Sequence, residues 1–283
     1  METETNVKKV NNGIFICGGF IHRGWMRGVF VFSFIMLACT VRLHADDALD
    51  KLMKDNCIFK VSFDKGDINA DIALGKEAGT AKGDNAPVFQ DGIRGKALLI
   101  NKKSATEVSY SSSSNFILSK PGAISFWVQP VKWLRGDELP DLFGGKPGEK
   151  TQIGMGFFQT SMPKACFVIK RQTTWDINRD KSDRLLVYSA AFNGIRDIRL
   201  WYTNMIWGEG EWHHLTLTWS RQDIVLYIDG KRVGHTAIEK PMEITPDMFT
   251  LGSQYGCSIL LDEFCIFSKQ LSDEDVKLVY DNK

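Results

Sequence analysis

Apolar residues in this chain come in short runs, and the clearest of them alternate with polar residues at period two. Cys57-Ile-Phe-Lys-Val-Ser-Phe63 is one such run. Successive side chains of a strand point to opposite faces, so the pattern describes a strand with one face in a core. Further strands are expected over Ala97 to Ile100, Ala123 to Val128, Ala165 to Lys170 and Leu185 to Ala190. Leu215 to Trp219 and Ile224 to Ile228 flank a polar turn, Ser220-Arg-Gln-Asp223. Asp229-Gly230 then signals a hairpin into Lys231 to His235, because both central residues of such a turn favour positive φ. Leu260 to Phe267 is the last expected strand, Pro130 ends the third, and Ser109 to Asn115 reads as a polar loop.

Helix is expected only at the C-terminal end. In Leu271-Ser-Asp-Glu-Asp-Val-Lys-Leu-Val-Tyr280, Ser272 can cap the first turn with Asp275 in the capping-box position. Val276, Val279 and Tyr280 recur on one face of it. Many short strands, frequent turn signals and one short helix describe an all-β, two-sheet antiparallel sandwich. No linker or 20–50-residue repeat divides residues 46–283, which read as one domain.

Residues 1–45 read as a leader. Met26-Arg27 precedes an apolar stretch from Gly28 to Val41, followed by Arg-Leu-His-Ala and the acidic Asp46-Asp47. A basic start, a short apolar run and a small residue before a polar mature end make up a secretory signal, too short to span a bilayer. Cleavage is expected after Ala45, with Met26 the expected true start. Leu37-Ala38-Cys39 offers an alternative, a lipidated Cys39. Either route places the product outside the cytoplasm, in the cell envelope or beyond. Of 35 basic and 34 acidic residues, five and two lie in 1–45, leaving a formal charge of −2 on the remainder. With no basic tract interleaved with aromatics, nucleic acid is not an expected partner. Cys57, Cys166, Cys257 and Cys265 lie beyond the leader without metal-finger spacing. They allow three disulfide pairings, and export would admit a bridge between the domain ends, Cys57 with Cys265.

Several segments, in order, resemble the laminin-G-like jelly roll of the concanavalin A-like lectin/glucanase family. Phe63-Asp-Lys-Gly66 is similar to the opening motif, and Gly92-Ile-Arg-Gly-Lys-Ala-Leu98 to the step into an early strand. Ile124-Ser-Phe-Trp-Val-Gln-Pro130 resembles the apolar strand with a central Trp. The most specific match is Gly210-Glu-Trp-His-His-Leu215 with Leu226-Tyr-Ile-Asp-Gly-Lys-Arg-Val-Gly234. Leu261-Asp-Glu-Phe-Cys-Ile-Phe267 and the helix after it resemble the family's ending. The match spans residues 57–283 and is weak between about Pro140 and Trp207. It implies a jelly-roll sandwich with a short C-terminal helix and a calcium ion tying the first strand to the last, here near Asp64, Gly95 and Asp262.

Hydrolases of this fold carry catalytic carboxylates at alternate positions of one strand, and no such pattern occurs here; Asp137, Glu138 and Asp141 surround a Pro. His213 and His214 are adjacent, so on a strand they face opposite ways and cannot act as a pair; core or cross-strand hydrogen bonding is expected. Trp127, Trp212 and Trp219 are expected in the core. A sugar needs an aromatic face for stacking and polar groups for its hydroxyls. Trp175 with Asp176, then Trp133, Trp201 and Tyr202, are the candidates for that role, with Trp207 in the same variable stretch. The function expected is that of an exported, non-catalytic carbohydrate-binding module. The alternatives are a structural or adhesive protein-binding domain and a glycoside hydrolase with an unrecognised site.

Overall fold

The computed structural model describes residues 46–101, 103–132, 151–160, 167–176, 179–189, 198–203, 205, 207–238, 246–252 and 258–283. Within the strands between 151 and 201, side chains are described at Phe157 to Thr160, Ile169, Leu185, Val187 and Leu200. The expected leader, Trp133, the acidic cluster at 137–141, Cys166 and Cys257 lie outside the described residues. A compact unit runs from Ala48 to Lys283.

Two antiparallel sheets build this unit. The nine-stranded sheet takes, in spatial order, β14 (Lys231–Ala237), β13 (Asp223–Ile228), β12 (His213–Trp219), β7 (Gly122–Lys132), β16 (Ser258–Phe267), β1 (Cys57–Val61) and β2 (Ile72–Ala73). β5 (Lys96–Ile100) pairs with β16, and β4 (Val88–Asp91) with β5. The seven-stranded sheet runs β11 (Ile198–Tyr202), β10 (Arg179–Ser189), β9 (Phe167–Asp176), β8 (Thr151–Thr160), β15 (Met248–Leu251), β6 (Glu107–Ser111) and β3 (Thr80–Lys82). Every expected strand with described residues is present, and the fold is the expected all-β sandwich with a short C-terminal helix.

Aromatic rings fill the space between the sheets. Phe249 contacts Phe59, Tyr110, Phe116, Phe158 and Phe264, with centroids 5.1–6.1 Å apart. Five of these six rings stand on strands of the two sheets and Phe116 lies between β6 and β7, so the contacts join the layers. The buried polar tips are paired: Tyr110 Oη donates to the Ile68 carbonyl at 2.8 Å, and Trp219 Nε1 to the Lys120 carbonyl at 2.7 Å. Such pairing removes the cost of burying a donor without a partner.

The outer face of the nine-stranded sheet is covered by two helices. Residues 46–56 form α1, for which the sequence carries no clear signal, and Asp273–Asp281 form α2. Leu52 of α1 and Val276 of α2 join Ala123, Val225, Tyr227 and Phe267 in one apolar cluster. α2 starts with the expected capping box, Ser272 accepting from the Asp275 amide and Asp275 from the Ser272 amide. Tyr280 lies flat on Trp127, with centroids 5.6 Å apart, above the hairpin turn at Gly230, where a Cβ would sit 2.9 Å from its ring. Asp229 and Gly230 have φ of 51° and 71°, the hairpin conformation their dipeptide signals.

Three expectations need correction. Pro130 does not end its strand, since Gly122–Lys132 runs through it and pairs Pro130 with Ile259. Ser109 to Asn115 is not wholly loop, since Glu107–Ser111 is a strand whose Val108 and Tyr110 face the core while Ser109 and Ser111 remain half-buried. Trp212 is half-buried rather than core: it precedes β12 and packs on the small cluster of Ala97, Leu99 and Leu260.

Candidate functional site

The family-like motifs converge where β16 changes partner. Ile259 to Leu261 pair with β5, and Phe264 to Phe267 pair with β1. Between these stretches the register with β7 slips, and Glu263 takes φ 50°. Asp262 sits at this handover, with no exposed surface. Its Oδ2 accepts from the Ile93 and Arg94 amides at 2.8 and 3.2 Å, and its Oδ1 from the Glu263 amide at 2.8 Å. The turn supplying the first two amides is closed by the Gly92 amide donating to the Gly95 carbonyl at 3.1 Å. Gly is required at both ends: a Cβ on Gly92 would lie 2.3 Å from Asp262 Oδ2, and one on Gly95 (φ +37°) would lie 1.9 Å from Asp64 Oδ1. Asp64 Oδ1 also accepts from the Lys96 amide at 3.0 Å.

Asp64, Gly95 and Asp262 therefore meet around one turn. Burial pushes the Asp262 carboxyl up to about 7, and the neighbouring Glu263 adds to this against the pull of the amides. Among the described residues no Lys or Arg forms an ion pair with it; Lys60 pairs with Glu263 at 2.8 Å and the Arg94 guanidinium contacts the Asn282 carbonyl. A buried anion balanced only by amide dipoles fits a cation chemically. Among the described residues no group of three or more His, Cys, Asp or Glu could hold a metal, so backbone carbonyls would have to complete any oxygen shell.

The aromatic candidates separate into different places. Trp175 and Asp176 end β9, opposite Thr151 and Arg179. Trp201 and Tyr202 end β11, opposite Leu186 and Leu185. Tyr202 is half-buried and packs against the main core, so its ring serves packing. Leu200 is buried, and alternation puts the neighbouring Trp201 at an outer-face position. Along β9, Trp175 has the parity of buried Ile169, an inner-face position. Trp201 is level with Lys170 through Leu186, five residues from Trp175 and roughly 17 Å away along the strand. A single sugar ring cannot touch both.

A polar row crosses the outer face of the seven-stranded sheet, which residue-by-residue inspection of the sequence does not reveal. Thr80, Ser109, Thr250 and Gln159 are consecutive cross-strand partners on β3, β6, β15 and β8. Ser109 Oγ and Thr250 Oγ1 lie 2.8 Å apart. The period-two pattern of Glu107–Ser111 was the available signal, and its polar half belongs to this row.

The histidines stand apart, as their adjacency required. His214 is buried, with Nε2 2.8 Å from Ser125 Oγ, and desolvation pushes its pKa down to about 3. His213 stacks on Trp207 at 4.3 Å, and its Nδ1 lies 2.9 Å from Asp229 Oδ2. Asp229 also accepts from the His214 amide at 2.9 Å, tying the hairpin turn to the strand before it.

A family model described as the concanavalin A-like lectin/glucanases superfamily matches residues 103–277. No curated protein matches the sequence. Among solved structures, the chain is similar to domain 4 of AbnA, a GH43 extracellular arabinanase from Geobacillus stearothermophilus in complex with arabinotriose. That likeness has 18% identity and a TM-score of 0.55, over 79% of this chain and 98% of that one. It is also similar to the binding domain of botulinum neurotoxin DC in complex with rat synaptotagmin II, at 15% identity and TM-score 0.58 over 81% of this chain. The same toxin domain in complex with SialylT gives 14% identity and TM-score 0.57 over 81% of this chain. The chain spans about half of those toxin domains, 52% in each case. At these identities the likeness concerns the fold.

Proposed function

The chain belongs to the concanavalin A-like lectin/glucanase superfamily, and we propose that within it this protein is an exported, non-catalytic module that binds carbohydrate. The carrying observation is the outer face of the seven-stranded sheet, where the Thr80–Ser109–Thr250–Gln159 row offers hydroxyls and an amide in register. Sugar hydroxyls need such small polar groups, and an aromatic ring on the same face supplies the apolar contact. Trp201 holds that outer-face position. Trp175, at an inner-face position of β9, stands outside this surface. Support from relatives is by analogy: the arabinanase domain is in complex with arabinotriose, and a toxin domain with SialylT. The leader-like residues 1–45 support export.

Structural calcium at the β16 handover is part of the same proposal. The Asp262 and Asp64 carboxylates with the Gly95 carbonyl would hold the ion. It would supply the positive charge that buried Asp262 lacks, and would tie the end of β1 to β16. Adding calcium should raise the melting temperature of the chelated domain, and Asp262→Asn should remove that rise. An identical melt with calcium and with chelator would reject the ion.

Residues 46–283 screened on a glycan array, with and without calcium, test the binding reading. We expect binding that falls at least about tenfold in Trp201→Ala, a stacking loss of roughly 1.5 kcal/mol, without loss of the fold. Trp175→Ala, at an inner-face position, should leave this binding unchanged. No glycan bound in either condition would overturn the proposal and favour a protein ligand. That second reading has its own support in the toxin domain's complex with synaptotagmin II and in exposed Leu74, 66% accessible beside edge strand β2.

A further inference from the structure

We propose that Cys57 and Cys265 form a disulfide that staples the first strand to the last and closes nearly the whole domain into one covalent loop. β1 and β16 are adjacent and antiparallel, with Cys57 opposite Phe267 and Lys60 opposite Cys265. The register slips between Cys57 and Phe59, drawing Cys57 along the strand toward Cys265. Both cysteines are buried, at 7% and 5% exposure, in the cluster beneath α1 and α2, so they share a face of the sheet. The structure holds them as thiols, and they interact directly.

In the folded domain their contact moves the two thiols in opposite directions. The hydrogen bond from Cys265 is the main cause holding the Cys57 thiol below its ordinary range, with the Phe59 backbone and the Lys60 ammonium contributing against burial. The same contact, with desolvation, pushes Cys265 up. A thiolate is the attacking form, and before the helices dock either cysteine can supply it; with Cys57 first, the exchange runs in two steps. The oxidant is an external disulfide, small or carried by a protein. Cys57 thiolate attacks one of its sulfurs, forming a mixed disulfide and releasing one thiol. Cys265 then loses its proton and attacks the Cys57 sulfur, releasing the second thiol. Two cysteine thiols are oxidised to one disulfide while the external disulfide is reduced to two thiols. Leu52, Leu271 and Val276 cover the pair once the helices dock, so the exchange precedes docking and the finished bond is shielded from reductants.

This inference is independent of the ligand but shares the export reading, since a reducing compartment would keep the thiols apart. The full chain, exported from a host cell, is alkylated under denaturing, non-reducing conditions and mapped by mass spectrometry. The same chain is refolded in a glutathione redox buffer and mapped in parallel. The expected result in both is a linked Cys57–Cys265 peptide, lighter by about 2 Da than the two thiol peptides together. Linkage on refolding alone shows a pair that can close but does not close on export, and overturns the proposal. Alkylation of both cysteines in both samples, or linkage of either to Cys166 or Cys257, overturns the proposal. Reduction should lower the melting temperature of the native chain by about 5–15 °C. The Cys57→Ala, Cys265→Ala double variant should melt lower and no longer respond, through this pair, to reductant.

Discussion

At the scale of single residues, two buried titratable groups pull stability in opposite directions. Asp262 goes from an ordinary 3.8 in the unfolded chain to about 7 when folded. The folded state therefore holds a proton that the unfolded state has lost, and Asp262 costs stability progressively as pH rises from about 4 to about 7. The full cost at pH 8 is on the order of 4 kcal/mol in the absence of a cation. Comparing the wild type with Asp262→Asn by denaturant unfolding in chelator at pH 4.5 and pH 8 isolates it. The wild type should lose ground to the variant at the higher pH, and calcium should abolish the difference. His214 moves from 6.5 to about 3. As pH falls below about 6.5 the unfolded chain takes up a proton that the buried imidazole refuses, so this part of the stability disappears toward about 3. Phe249 belongs to another class, touching five other rings. Phe249→Ala should cost about 3–5 kcal/mol in denaturant unfolding, because rings from two sheets cannot close over the cavity.

At the scale of elements, the helices show how unevenly a sequence discloses structure. α2 was legible because its capping box and its i, i+3, i+4 face are local. Ser272→Ala should lower stability by about 1 kcal/mol, measured by urea unfolding. α1 was not legible, because in sequence residues 46–56 look like the polar start of a mature chain. What makes them an element is the sheet surface receiving Leu49 and Leu52. A chain starting at Cys57 should therefore be less stable than one starting at Asp46, by roughly 2–5 kcal/mol, the worth of burying those two leucines. The Asp229-Gly230 hairpin was legible for the same reason as α2: two consecutive residues carry the required backbone conformation. β6 was only partly legible because its polar half, Ser109 and Ser111, belongs to a sheet face whose other members are distant in sequence.

At the scale of the whole molecule, the near-neutral charge of residues 46–283 has a consequence for recognition. Binding through hydroxyls, amides and a stacked ring releases few counterions. Affinity for a neutral glycan, measured by calorimetry, should change less than about twofold between 50 and 500 mM salt. A steep loss would point to an acidic ligand held by charge. The candidate calcium cradle was legible to the extent that Asp64, Gly95 and Asp262 do surround one turn. The aromatic platform was not, since Trp175 and Trp201 have opposite parity and Tyr202 is committed to the core.

The division follows from what each kind of information contains. Strand periodicity, the turn dipeptides, the capping box and the order of the family motifs are local, and they determined an all-β sandwich ending in a helix. Which strands become neighbours depends on long-range pairing. Only the tertiary structure decided that β16 passes from β5 to β1 at Asp262, that Cys57 and Cys265 share one buried face, and that Thr80, Ser109, Thr250 and Gln159 stand in a row. Those placements come from burying both sheets' apolar faces at once. No window of the sequence contains both partners.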